Sequence, residues 1–116
     1  MNKKIHYMKL WNDSFLSVKD GSKTIEMRLN DEKRSKININ DYIVFLNTKT
    51  SEELKVQVTN LYKYSDFKEL YNHHSKTVIG YKEKENASYT DMFEYYSEED
   101  ILRYGVIGIE IKKVNN

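Results

Sequence analysis

Apolar and polar positions alternate with a period of two along much of this chain, and helical spacing appears only in short stretches. Ile5 to Lys9 reads as a first strand. Trp11, Phe15 and Val18 then recur on one helical face, with Asn12, Asp13 and Ser14 as capping side chains at its start. Gly21 offers the left-handed residue that ends such a helix. The alternation resumes over Lys23–Leu29, sending Ile25, Met27 and Leu29 to one face and Thr24, Glu26 and Arg28 to the other. Asn30 to Lys36 is a polar loop, and Asn38-Ile39-Asn40-Asp41 is a turn.

The run Tyr42–Leu46 is apolar at every position and predicts a strand buried on both faces. Asn47 to Ser51 connects it to Leu54–Thr59, which alternates strictly and predicts a half-buried strand, with the pattern open to continue to Tyr62. Asp66, with Glu69 three residues on, has the form of a capping box for a helix through Phe67, Leu70 and Tyr71. His73 to Lys84 lacks a period and reads as loop, with an extended piece at Val78-Ile79. A helix is expected over Ser88–Tyr96, and a further turn behind the cap Ser97, where Glu98, Glu99 and Asp100 suit the first turn. Gly105 stops it before a last strand, Val106–Ile111. Strands with short helices between them, and no repeating βαβ unit, predict an α+β fold. The form expected is a small, partly open β-barrel of about five to six strands with short helices.

Composition narrows the class. The chain has 116 residues, expected to form a single domain, with ten tyrosines and no cysteine. The missing thiols exclude a disulfide scaffold, a thiolate zinc site and a cysteine nucleophile. No apolar run reaches the roughly 20 residues of a membrane span, and the start carries no secretory pattern, so the expected location is cytoplasmic. A net charge of +1 argues against a broad grip on duplex DNA. Charge is uneven, however. Lys23 to Lys36 holds five basic and three acidic residues, whereas Asp91 to Arg103 holds five acidic and one basic. A basic face opposite an acidic one would orient an anionic ligand.

Candidate chemistry centres on Lys23, Thr24, Glu26 and Arg28. A hydroxyl, a carboxylate and a guanidinium in a row, with an ammonium at the strand mouth, can hold a planar hydrogen-bonding ligand such as a nucleobase, or a phosphate. The same residues also read as a self-satisfied ladder. Only three arginines occur (Arg28, Arg34 and Arg103), which sets Arg28 apart from incidental surface charge. The helical spacing of Trp11 with Phe15 reads as core. Tyr62, Tyr64, Tyr89, Phe93, Tyr95 and Tyr96 are stacking platforms or packing rings. His6 reads as a half-buried polar residue. His73-His74 reads as a loop pair, because adjacent side chains diverge and no third metal ligand is near. No metal or cofactor is expected.

The run Gly21-Ser22-Lys23-Thr24-Ile25-Glu26-Met27-Arg28 resembles the Gly-x-Lys-Thr-x-Glu-x-Arg pattern of the activating-signal-cointegrator homology (ASCH) domain, a PUA-like barrel. Asn40-Asp41 stands where that family usually has Gly-Asp, and Tyr104–Ile111 is similar to its closing strand, so the resemblance spans nearly the whole chain. It implies a barrel whose cleft binds RNA or a modified nucleoside, and it implies Trp11 as a wall of that cleft, a reading of equal weight to core. Some bacterial members hydrolyse N4-acetylcytidine with a lysine, a threonine and a glutamate. The lysine falls on Lys23, the threonine on Glu26, and the glutamate on Glu85 of Glu85-Asn86-Ala87-Ser88-Tyr89-Thr90-Asp91. Three functions follow as expectations. The first is binding of an unpaired nucleotide by Lys23, Thr24, Glu26, Arg28 and Trp11. The second is hydrolysis of a modified nucleoside or of RNA, with Lys23 and Glu85 catalytic and Lys23 either activating a water or serving as base for Thr24. The third is a protein-interaction module, should Lys23, Glu26 and Arg28 be spent on internal salt bridges.

Overall fold

The alternating segments assemble into one five-stranded sheet. The computed structural model describes residues 2–114; residue 1 and residues 115–116, the ends of the expected domain, lie outside them. In chain order the elements are β1 (Ile5–Leu10), α1 (Asn12–Asp20), β2 (Ile25–Leu29), β3 (Tyr42–Asn47), β4 (Glu53–Tyr64), α2 (Phe67–His73), α3 (Glu98–Tyr104) and β5 (Val106–Lys113). Short 3₁₀ helices lie at Arg34–Lys36 and Tyr89–Glu94. The strand order is β1-β3-β4-β5-β2. β1 pairs with β3 in parallel and the other pairs are antiparallel. The sheet curls into a half-barrel, as expected for a PUA-like α+β fold.

Local chemistry explains most boundaries. Gly21 adopts φ +89° and its N–H donates to Val18 O, ending α1. Asp66 accepts from Glu69 N, and Ser97 from Asp100 N, so both predicted caps form. Asn40 takes the left-handed φ of +79°, a conformation glycine adopts freely and asparagine tolerates. A bulge between Val58 and Asn60 leaves Thr59 as an extra residue in β4. It bends the strand, which runs on to Tyr64, just past the Tyr62 to which the pattern is open.

Three expectations change. β3 is buried on one face only, through Ile43, Phe45 and Asn47, because Tyr42, Val44 and Leu46 lie half-buried on the outside of the curl. The segment Ser88–Tyr96 forms a 3₁₀ helix over Tyr89–Glu94, not an α-helix; Met92 is its one buried side chain, too few to define the stripe of an α-helix. Asn12, Asp13 and Ser14 do not cap α1. Trp11 is its N-cap and makes no side-chain cap bond.

Two apolar clusters hold the fold. Phe15 and Val18 of α1 fill the inside of the curl against Ile43, Phe45, Val56, Ile107 and Ile109. Ile25, Leu29 and Val106 meet Phe67 and Leu70 of α2, with Ile79, Met92 and Ile101. Each such buried side chain contributes about 1.5–3 kcal/mol, enough for this core to carry a few buried charges. No helix among the described residues is long and apolar enough to cross a membrane.

Candidate functional site

The edge strands β1 and β2 do not pair with each other, so the half-barrel has an open seam. Side chains bridge it: Arg28 Nη2 donates to Lys9 O at 2.8 Å, and Lys33 Nζ to Tyr7 O at 3.1 Å. Beside the first bridge lies a cavity of about 700 Å³. Lys9, Trp11, Ser14, Lys23, Glu26 and Arg28 contribute from the barrel side, and Gly80, Tyr81, Glu85, Asp91, Tyr95 and Tyr96 from the segment before α3.

Glu26 is the centre of this floor, 3% exposed. Its Oε1 accepts from Lys23 Nζ at 2.6 Å and its Oε2 from Arg28 Nε at 2.7 Å. Lys23 also donates to Ser14 Oγ at 2.7 Å, so the hydroxyl expected to cap α1 orients the ammonium instead. Burial pushes the Glu26 carboxyl upward, but the charges of Lys23 and Arg28 outweigh it and hold the group ionised, below its ordinary range. The Arg28 guanidinium keeps donors beyond the two bonds it makes.

Backbone geometry sets the lysine. β2 begins at Ile25, so Lys23 and Thr24 precede the ladder. The N–H groups of Thr24 and Ile25 both donate to Val78 O at 2.9 Å, fastening this segment to the loop after α2. The alternation therefore does not extend back to residue 24. Thr24 is absent from the cavity lining, whereas Lys23 joins Glu26 and Arg28 there. Gly80, at φ +115°, lies against the lysine stem; a Cβ there would sit 3.2 Å from Lys23 Cδ.

Trp11, 66% exposed, and Tyr95, 51% exposed, form the aromatic rim, edge to face with ring centroids 5.4 Å apart. Tyr96 lines the cavity and stacks on Phe67. The other expected platforms lie elsewhere. Tyr62 and Tyr64 pack against His74 and His73 respectively, and Tyr89 meets Phe93. Tyr64 OH shares a hydrogen bond with His74 Nε2, and no metal-holding cluster exists among the described residues. Glu85 lines the cavity, but its Oε1 accepts from Lys82 N at 2.7 Å and no hydrogen bond joins it to Lys23. Tyr81 emerges only from the structure. Its hydroxyl meets Tyr71 OH at 2.8 Å and Asp91 Oδ2 at 2.6 Å, and burial, with Asp91, raises its phenol far above the ordinary value.

The two charge-biased segments do not form opposite faces; both reach this one cavity. Lys9, Lys23 and Arg28 face Glu26, Glu85, Asp91 and Glu94. Such a lining suits a polar, near-neutral group with donors and acceptors better than a free polyanion.

The ASCH domain profile matches residues 8–115. The crystal structure of hypothetical protein PH0355 is 32% identical, with a TM-score of 0.81 over 95% of this chain and 99% of that one. The solution structure of protein PF0455 from Pyrococcus furiosus is 30% identical, with a TM-score of 0.73 over 97% and 99%. The ASCH protein of Zymomonas mobilis shares the fold at 15% identity, with a TM-score of 0.68 over 97% of this chain and 69% of that one. No curated protein matches. Profile, curled sheet and the Lys23–Glu26–Arg28 segment agree: the chain belongs to the ASCH domain family.

Proposed function

We propose that the cavity binds an unpaired nucleotide of RNA, or a free nucleoside or nucleotide, with the base seated on the Lys23–Glu26–Arg28 floor. The observation that carries this reading is the ionised Glu26 held between two cations beneath an exposed Trp11–Tyr95 rim. Each Glu26 oxygen already accepts one hydrogen bond, and a carboxylate has about four acceptor sites. The remaining ones suit an exocyclic amino group, and the unused Arg28 donors suit a carbonyl or phosphate oxygen. The rim rings offer faces for stacking, which favours an unpaired base over a duplex. A volume of about 700 Å³ lies within the usual range for small-ligand sites.

Binding fits this geometry better than hydrolysis. Lys23 is engaged by Glu26 and Ser14, Glu85 by a backbone amide, and Thr24 lies off the lining. Glu26 is a weak base, since its proton affinity is lowered. The interaction-module reading gains from the internal pairing of the three charges, and the same experiment addresses it.

Trp11 is the one tryptophan of the chain and stands on the rim, so its emission reports occupancy directly. The four nucleoside 5′-monophosphates should change that emission saturably, and Tyr95→Ala should weaken the response. Indifference of Trp11 to all four, in folded protein, would reduce the triad to an internally neutralised network. Arg28→Ala is a poor first test, because it strips a buried carboxylate of one partner.

A further inference from the structure

The outward face of β1 carries a row of residues that leads away from the cavity. Ile5, Tyr7 and Lys9 alternate with buried Met8 and Leu10, and Trp11 continues the extended backbone. Tyr7 is 64% exposed and Ile5 46%. Beside Ile5 in the parallel register stands Tyr42 of β3, with Lys3 and Lys55 over its ring at 5.8 and 4.5 Å. Lys33 Nζ reaches the backbone of Tyr7 from the loop after β2. One end of the row opens on the cavity through Lys9 and Trp11. Its other end opens on a second concavity of about 640 Å³, lined by Lys4, Ile5, His6, Glu32, Lys33 and Lys36.

The two hollows differ in charge. The first mixes three basic with four acidic side chains, whereas in the second three lysines face the single carboxylate Glu32. A base fits the first and a phosphate the second. The row between them supplies aromatic faces interleaved with ammonium groups, the pattern of a single-strand platform. Ile5 to Trp11 spans about 20 Å at strand rise, matching the shorter single-strand sites of about four nucleotides.

We propose that the ligand is single-stranded RNA several nucleotides long, running from the cavity along the outer face of β1 to the lysine-lined concavity. Bases stack on Trp11 and Tyr7, and phosphates lie beside Lys9, Lys33, Lys4 and Lys36. The proposal rests on the cavity reading for the nucleotide seated at Arg28 and adds the path of the rest.

Labelled RNA octamers of mixed sequence, titrated against the full chain beside the mononucleotides, separate the two. The octamer should bind at least tenfold more tightly than any mononucleotide. Tyr7→Ala should weaken octamer binding about tenfold, the lower range for one stacked base, and leave mononucleotide binding unchanged; Tyr7→Phe should retain both. The Lys4→Gln/Lys36→Gln variant should flatten the salt dependence of octamer binding by roughly 0.7 in log–log slope for each phosphate it no longer neutralises. An octamer no tighter than a mononucleotide, or indifferent to Tyr7 and to both lysines, overturns the path while mononucleotide binding still supports the cavity. Octamer binding that needs Tyr7 but survives Tyr95→Ala, with no mononucleotide response, keeps the path and removes the cavity reading.

Discussion

Two carboxylates are buried among the described residues, Glu26 in β2 and Asp41 before β3, and their partners differ in kind. Asp41 accepts from the backbone amides of Lys4 and Asn38 at 3.2 and 2.9 Å, and bonds His6 Nε2 at 2.9 Å. It ties the start of β1 to the turn into β3, a structural knot made largely of main chain. Every partner of Glu26 is a long cationic side chain beside a cavity. Burying such a trio costs desolvation that ion pairing rarely repays in full, and an apolar trio of similar volume would often be as stable. Stability thus accounts for Asp41, whereas the Glu26 pairing is the part that the proposed binding would use.

The sharpest way to break this contrast is Glu26→Ala. It strands two buried cations and should cost about 3–5 kcal/mol in urea unfolding, whereas the apolar trio Lys23→Met/Glu26→Leu/Arg28→Met should recover most of that loss and abolish nucleotide binding. A trio that both binds and folds normally would place Glu26 in the same structural class as Asp41. Asp41→Ala should cost about 2–3 kcal/mol through two unpaired amides and leave nucleotide affinity unchanged; a loss of affinity in the folded variant would erase the distinction. Tyr95→Ala tests the cavity side alone. It should lower affinity by about 1–2 kcal/mol with the melting temperature unmoved.

Acid titration gives the smallest effect. Both carboxyls lie below their ordinary values of 4.5 and 3.8 in the folded chain, Glu26 through Lys23 and Arg28, Asp41 chiefly through His6 and the amides, in each case against burial. The unfolded chain therefore takes up protons first. Their contribution to stability is complete above those ordinary values and disappears as pH falls through the lower folded ones. Glu26→Gln and Asp41→Asn should each flatten the acid limb of a stability–pH curve, and an unchanged limb would show that neither carboxyl is held ionised by the fold.

Much of this is legible in the chain itself. The motif from Gly21 to Arg28 points to Lys23, Glu26 and Arg28, and all three line the cavity with Trp11 and Glu85. Alternation misplaces Thr24 because it is a property of the ladder, and the ladder starts at Ile25. Ser14 reads as a cap because a serine at a helix start commonly is one; its partner, Lys23, comes from beyond the helix. Tyr81 and Gly80 carry no signal, since an aperiodic loop gives no indication of what it packs against.

The amino-acid order alone determined the extended segments, the apolar faces of β2 and β4, the caps at Asp66 and Ser97 and the left-handed stops, because periods and caps are interactions within a few residues. Only the folded chain decided that β1 and β2 face each other unpaired, that Arg28 bridges them to Lys9, and that the segment before α3 closes a hollow over Glu26. Those outcomes depend on how the Thr59 bulge curls the sheet and on contacts between distant segments, which no local pattern encodes.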